Sequence, residues 1–232
     1  MAGHSHWAQV KHKKAVIDAK RSQVISKLIR AITIAAREGS NPETNFKLRS
    51  AIDRAKEFQV PLDNIERAIK KSETKEDNLE QVIFEAYLSD IQILIKTITD
   101  NKNRTLGEIK HLLNKFGGRL AEPGSVIWNF KEIAVIVIDK KDEGEIFEIM
   151  SDLEDFYEKD GNILLITNLS NFSSLKNSLE KLGVVIKESF VEFSPVNSIE
   201  NFDENIKKKL DQLTEALLDL EDVEEIFTNT KN

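Results

Sequence analysis

The sequence predicts an α+β protein in which a helical N-terminal domain is followed by two α/β domains, the last inserted into the middle one. Three observations carry this reading. Apolar residues recur at helical spacing as far as Lys71, and from Val82 onward period-two and continuous apolar runs take over. The chain then closes on a lone helix and a short strand, which need a sheet formed elsewhere.

From Asp18 to Arg37, Val24, Ile25, Leu28, Ile29, Ile32, Ala35 and Ala36 share one arc of a helical wheel. Ser22, Gln23, Ser26, Lys27, Arg30, Thr33 and Arg37 fill the other, with Ile34 out of pattern. One face packs and the other presents cations at helical spacing. Asn41-Pro42-Glu43 reads as a cap followed by a proline at the first helical position. The helix it opens buries Leu48, Ala51, Ile52, Ala55 and Phe58. Pro61 starts a third helix that buries Leu62, Ile65 and Ile69. None of the three can bury its stripe alone, so together they form one domain over 1–75.

Beyond the polar stretch 72–80, Val82–Leu88 and Ile91–Thr99 read as strands of a hairpin turning at Ser89-Asp90. Asp100 to Thr105 is a polar loop with capping chemistry, followed by a helix ending at Gly117-Gly118. Val126–Lys131 reads as a strand. A βαβαβ alternation follows: strand Ile133–Ile138, helix Glu143–Phe156, strand Ile163–Thr167, helix Ser170–Leu182, strand Val184–Phe193. The terminal helix Asp203–Asp219 and strand Val223–Thr228 complete the sheet begun at residue 82. The middle domain is therefore 76–131 with 201–232, and the inserted one is 132–200.

Charge is divided along the chain. Residues 1–75 hold 16 Lys and Arg against 8 Asp and Glu, whereas 76–232 hold 17 against 32. The first thirty residues carry Lys11, Lys13, Lys14, Lys20, Arg21, Lys27 and Arg30 against the single acid Asp18. A cationic head with Trp7 and His12 threaded through it suits a polyanion, since Lys and Arg neutralise phosphates while aromatic rings stack on bases. Arg104, in the polar loop after a strand, joins these as a candidate contact, and helix capping is the competing role for that loop. Trp7 fits a core anchor as well as a stacking ring. An acidic protein partner would also meet a basic head.

With no cysteine, disulfides, thiolate nucleophiles and zinc ribbons are excluded. His4, His6 and His12 lie close enough to suggest a metal, but no acid precedes Asp18 to join them, and no metal or cofactor is expected. There is no phosphate-binding loop, dinucleotide fingerprint, nucleophile elbow or metal-ligand helix motif, so the chain does not read as an enzyme. It has no apolar segment of signal-peptide or membrane-spanning length, which predicts a cytoplasmic protein.

Specific runs of residues carry a resemblance. They are Met1-Ala2-Gly3-His4-Ser5, Trp7-Ala8, Lys11-His12, Asp18-Ala19-Lys20-Arg21, Lys27-Leu28-Ile29-Arg30 and Ala35 through Gly39. Ala51-Ile52-Asp53 and Asp63 through Lys71 follow, then Thr99 through Thr105, Gly117-Gly118 and Pro123-Gly124-Ser125-Val126. In these the chain resembles the YebC/PmpR family, whose mitochondrial members are described as translational activators. The resemblance implies a three-helix domain followed by two ferredoxin-like domains, the last inserted in the middle one. It also implies a regulator of gene expression: a DNA-binding transcriptional regulator, or a translation factor acting on RNA at the ribosome. It brings no active site. Two departures stand out: His6 replaces a usual lysine, and Tyr87-Leu88-Ser89-Asp90-Ile91 replaces a glycine-rich turn. A turn without glycine is not expected to reach positive φ easily.

Overall fold

A computed structural model describes residues 21–74, 78–200 and 202–231. The chain opens with three helices, α1 (Arg21–Ala36), α2 (Phe46–Glu57) and α3 (Leu62–Thr74). Their stripes meet in one core of Leu28, Ile32, Ala35, Leu48, Ile52, Ala55, Ile65 and Ala68, with Val24, Ile25, Ile29 and Phe58 at its margin. Two details differ from the sequence reading. The second helix starts at Phe46, not Pro42, because Asn45 outcompetes Asn41 as the cap. The Asn45 Oδ1 accepts from the Leu48 backbone N–H (3.0 Å), while its Nδ2 donates to the carbonyls of Ala35 and Gly39 (2.7 Å each). One side chain thus satisfies orphan groups of two helix ends, whereas Asn41 only closes a local turn onto Glu43. Leu62 is 63% exposed, since the buried stripe of α3 begins one turn later at Ile65.

The first sheet grows from β1 (Glu80–Leu88) and β2 (Ile91–Thr99), an antiparallel hairpin in which Leu88 opposes Ile91. Its two-residue turn reaches positive φ without glycine: Ser89 has φ 54°. The expectation attached to the missing glycines is corrected there, as the register of nine apolar-rich pairs holds one residue in the left-handed region. Helix α4 (Lys102–Phe116) follows, capped by Asn101 and stopped by Gly117 at φ 81°. A short β3 (Arg119–Leu120) then pairs with β1.

Val126–Lys131 is not a strand throughout. Residues 127–129 form a 3₁₀ turn, and β4 runs from Phe130 to Asp139. The cause is Glu85, a buried carboxylate on β1. Its Oε1 accepts from the Gly124 N–H (2.6 Å), and its Oε2 accepts from Val126 (2.5 Å) and Ile127 (2.8 Å). Donors committed to a carboxylate cannot enter a β ladder. Glu85→Gln places an amide NH₂ against at least one of these donors. We expect it to lower unfolding free energy by about 2 kcal/mol, read as a shift of the urea midpoint with unchanged slope.

The inserted segment carries β4, β5 (Asp155–Lys159), β6 (Asn162–Thr167), α5 (Phe172–Lys181) and β7 (Ile186–Pro195), in sheet order β5-β6-β4-β7. The expected helix over Glu143–Phe156 is absent. Residues 140–148 and 150–152 form 3₁₀ turns, and the chain then enters β5. Gly144 weakens a helix there, and Asp160 (φ 50°) with Gly161 (φ 72°) makes the two-residue turn that pairs β5 with β6.

Helix α6 (Glu204–Leu218) and β8 (Val223–Thr228) return to the first sheet, whose order is β3-β1-β2-β8. Phe84, Ala86, Ile91, Ile93 and Ile95 of the strands pack with Ile109 and Leu113 of α4 and Leu210, Leu213 and Leu217 of α6. The protein is thus α+β, with N-terminal helices followed by two antiparallel sheets. Lys131–Ser194 forms one compact unit, and the helices and first sheet together form another.

Candidate nucleic-acid interface

The polar arc of α1 is not a wet cationic face. Lys27 is buried, and its ammonium donates to the carbonyls of Leu218 and Val223 at 2.7 Å each. Gln23 Nε2 donates to the Asp219 carbonyl (2.7 Å), and Thr33 is buried against the Ile29 carbonyl. Arg30 pairs with Asp222 (2.9 Å) and Glu221 (2.6 Å). The arc docks on the corner between α6 and β8. Helical periodicity separates polar from apolar residues, and it is blind to whether water or a polar partner covers the polar side.

The corner is built around three acids. Asp222 sits between α6 and β8 and is 2% exposed. It accepts from Arg30, from Arg104 (2.7 Å), and from the hydroxyls of Thr99 (3.0 Å) and Thr105 (2.6 Å). Burial alone would raise its pKa, but the bonds from Thr105, Arg104 and Thr99 outweigh it and hold the carboxyl below its ordinary value. The same contacts push Arg104 further up, with Asp100 adding a second bond at 2.8 Å. Along β8, Lys96 opposes Glu225 and Thr97 opposes Val223, leaving Glu224 as the extra residue of a β-bulge. The bulge lets two consecutive acids share the same cationic neighbours. Glu225 takes Arg54 of α2 and Lys96 of β2 at 2.9 Å each, which overcome burial and bring it down to about 2. Glu224 is buried, and its Oε1 has no hydrogen-bond partner among the described residues. Burial raises it to about 7, against the pull of Lys27 and Arg54. Burial likewise lowers Lys27, with Glu224 opposing.

Of the candidate contacts, Lys27, Arg30 and Arg104 are therefore engaged by the fold. Lys27 is buried, which corrects its reading as a solvent-facing cation, and Arg30 is largely covered, whereas Arg104 pairs with Asp222 and Asp100 and is still 45% exposed. The reason is an acidic strand end that needs cations once buried. Arg21 is exposed at the start of α1, with Nη2 near Gln59 Oε1 (3.3 Å). Trp7, Lys11, His12, Lys13, Lys14 and Lys20 lie outside the described residues. Elsewhere in the helices, Lys47 pairs with Glu38, Arg49 with Glu43, Lys56 with Asp53 and Arg67 with Asp63. Periodicity missed the acids Asp222, Glu224 and Glu225. The signal available was their concentration in one short strand segment, Glu221-Asp222-Val223-Glu224-Glu225, otherwise built for a sheet interior. Among the described residues no cluster of three or more His, Asp or Glu is arranged to hold a metal, and no helix is long and apolar enough to cross a membrane.

Residues 5–75 match the model of the TACO1/YebC N-terminal domain, and residues 79–230 that of the TACO1/YebC second and third domain. A protein of Caldanaerobacter subterraneus subsp. tengcongensis is 41% identical over 240 residues, covering 100% of this chain and 98% of its own. One of Thermotoga maritima is 42% identical over 238 residues, covering 99% and 93%. Both carry the name probable transcriptional regulatory protein. The crystal structure of a conserved hypothetical protein from Aquifex aeolicus superposes with a TM-score of 0.83 at 38% identity, covering 98% of this chain and 97% of that one. With both family models matched in order, and the helices and two sheets shared with a solved relative, this chain belongs to the TACO1/YebC family.

Proposed function

We propose that the protein is a nucleic-acid-binding regulator of gene expression that grips phosphates through the head of the chain. One observation carries the reading. The Arg30 and Arg54 guanidiniums are bound by Asp222 and Glu225, and the Lys27 ammonium by two carbonyls, so the charge left for an external polyanion lies at Arg21, in the segment before it with Lys11, Lys13, Lys14 and Lys20, and at the exposed Lys70 of α3. The names of the relatives support transcriptional regulation, and a DNA duplex is the target that this reading implies. A second reading, a translation factor on ribosomal RNA, is favoured by the 32 Asp and Glu against 17 Lys and Arg after residue 75. Acidic domains of that kind repel a duplex and suit a crevice walled partly by protein.

The test is the salt dependence of binding to a DNA duplex and, separately, to purified ribosomes. Changing Lys11, Lys13, Lys14 and Lys20 together to alanine should flatten the log–log slope by roughly 0.9 per lost duplex contact, or roughly 0.7 for single strands. Changing Arg104 to alanine should leave the slope where it was. An unaltered slope in the four-lysine variant sinks the proposal, and the probe that the wild type binds at physiological salt chooses between the two readings.

A further inference from the structure

We infer a second, base-stacking contact for single-stranded nucleic acid, remote in sequence from the basic head, on the loop that Glu85 holds. Trp128 is 64% exposed, a large amount of indole surface to leave in water. The ring is not loose. Its Nε1 donates to the Ser125 carbonyl at 2.8 Å, and the Tyr87 hydroxyl donates to the same oxygen at 3.0 Å. The guanidinium of Arg119 lies 4.7 Å from the centre of the Tyr87 ring, and among the described residues it has no carboxylate partner. The segment that presents them is anchored from beneath by the three backbone N–H bonds to Glu85.

The result is a contiguous surface of one exposed indole, one phenol and one exposed cation, all fixed before any ligand arrives. An indole held by its edge and 64% exposed offers a π surface to any base, and the neighbouring guanidinium suits the adjoining phosphate. A duplex cannot use it, because its bases are already stacked, so the ligand class is an unpaired stretch of RNA or DNA. The inference rests on the nucleic-acid reading above, and it adds a point where strandedness is sensed.

The experiment uses the full chain with Trp7→Phe, which leaves Trp128 as the one tryptophan. Its fluorescence is followed while a short single-stranded oligonucleotide, its duplex, or an abasic strand of equal length is added, and binding is measured in parallel by anisotropy of a labelled copy. The expected result is saturable quenching by the single strand and none by the abasic strand or the duplex. Trp128→Ala should weaken single-strand binding about 5- to 100-fold, with the salt slope unchanged. Arg119→Ala should lower that slope by roughly 0.7. Single-strand binding without quenching, or equal affinity in Trp128→Ala, overturns the stacking contact and leaves the basic-head reading standing. Absence of binding to every probe overturns both.

Discussion

Replacing Asp222 by alanine is expected to destabilise the protein by about 3 kcal/mol. The carboxylate is 2% exposed and serves four donors: Arg30, Arg104, Thr99 and Thr105. Its removal leaves Arg30 with Glu221 alone and Arg104 with Asp100 alone, beside a newly opened cavity. The cost stays below that of a fully buried ion pair, because Arg104 is 45% exposed and can turn to water, and because the Thr99 and Thr105 hydroxyls, 2.8 Å apart, can then hydrogen-bond to each other. Asp222→Asn should be nearly as damaging, since the amide NH₂ meets donors on every side. Glu221→Ala, which loses only the pair of a 63% exposed side chain with Arg30, should stay within about 0.5 kcal/mol. Urea unfolding of the three variants checks the ranking, and an Asp222→Ala midpoint equal to that of Glu221→Ala would remove the corner from any account of what joins α1 to β8.

The second expectation concerns pH. In the fold Glu224 titrates at about 7, against 4.5 unfolded, chiefly because burial disfavours its charge. Between those values the folded state holds a proton that the unfolded state has lost. Its contribution is whole below 4.5 and fades as pH rises through 7, by about 3 kcal/mol in all. Glu225 works oppositely: held down to about 2 by Lys96 and Arg54, it stabilises above 4.5 and gives that up as pH falls. Stability from this pair should therefore peak near the ordinary glutamate range and decline toward neutrality. Lys27, shifted down by burial, acts on the limb leading up to 10.5. Subtracting the Glu224→Gln unfolding curve from that of the wild type isolates the Glu224 part, and a flat difference from pH 4.5 to 7 refutes it.

Much of the architecture was legible before any coordinates. The α1 stripe from Val24 to Ala36, the hairpin at Ser89-Asp90 and the terminal helix and strand all emerge from period and turn chemistry. The misread segment 143–156 shows where such reasoning fails. Apolar residues at loose helical spacing suggested a helix, yet Asp160-Gly161 ahead of the apolar Ile163–Thr167 run was the stronger signal, because this dipeptide suits a turn with two positive φ angles. The loop at 124–127 was not readable at all, since the carboxylate that takes its N–H groups lies some forty residues upstream on another strand.

The candidate site divides along the same line. Sequence alone determined that the head of the chain is cationic and the remainder acidic, because charge is a sum over residues and needs no fold. It likewise determined the family, through long runs of particular residues. Only the tertiary structure decided which cations are available. Lys27, Arg30 and Arg54 belong to the basic head by position, but by contact to the Val223 carbonyl, Asp222 and Glu225, about 170 to 200 residues away in the chain. A buried carboxylate must find a cation or a proton, and the packing of β8 against α1 and α2 dictates which of the two each acid receives.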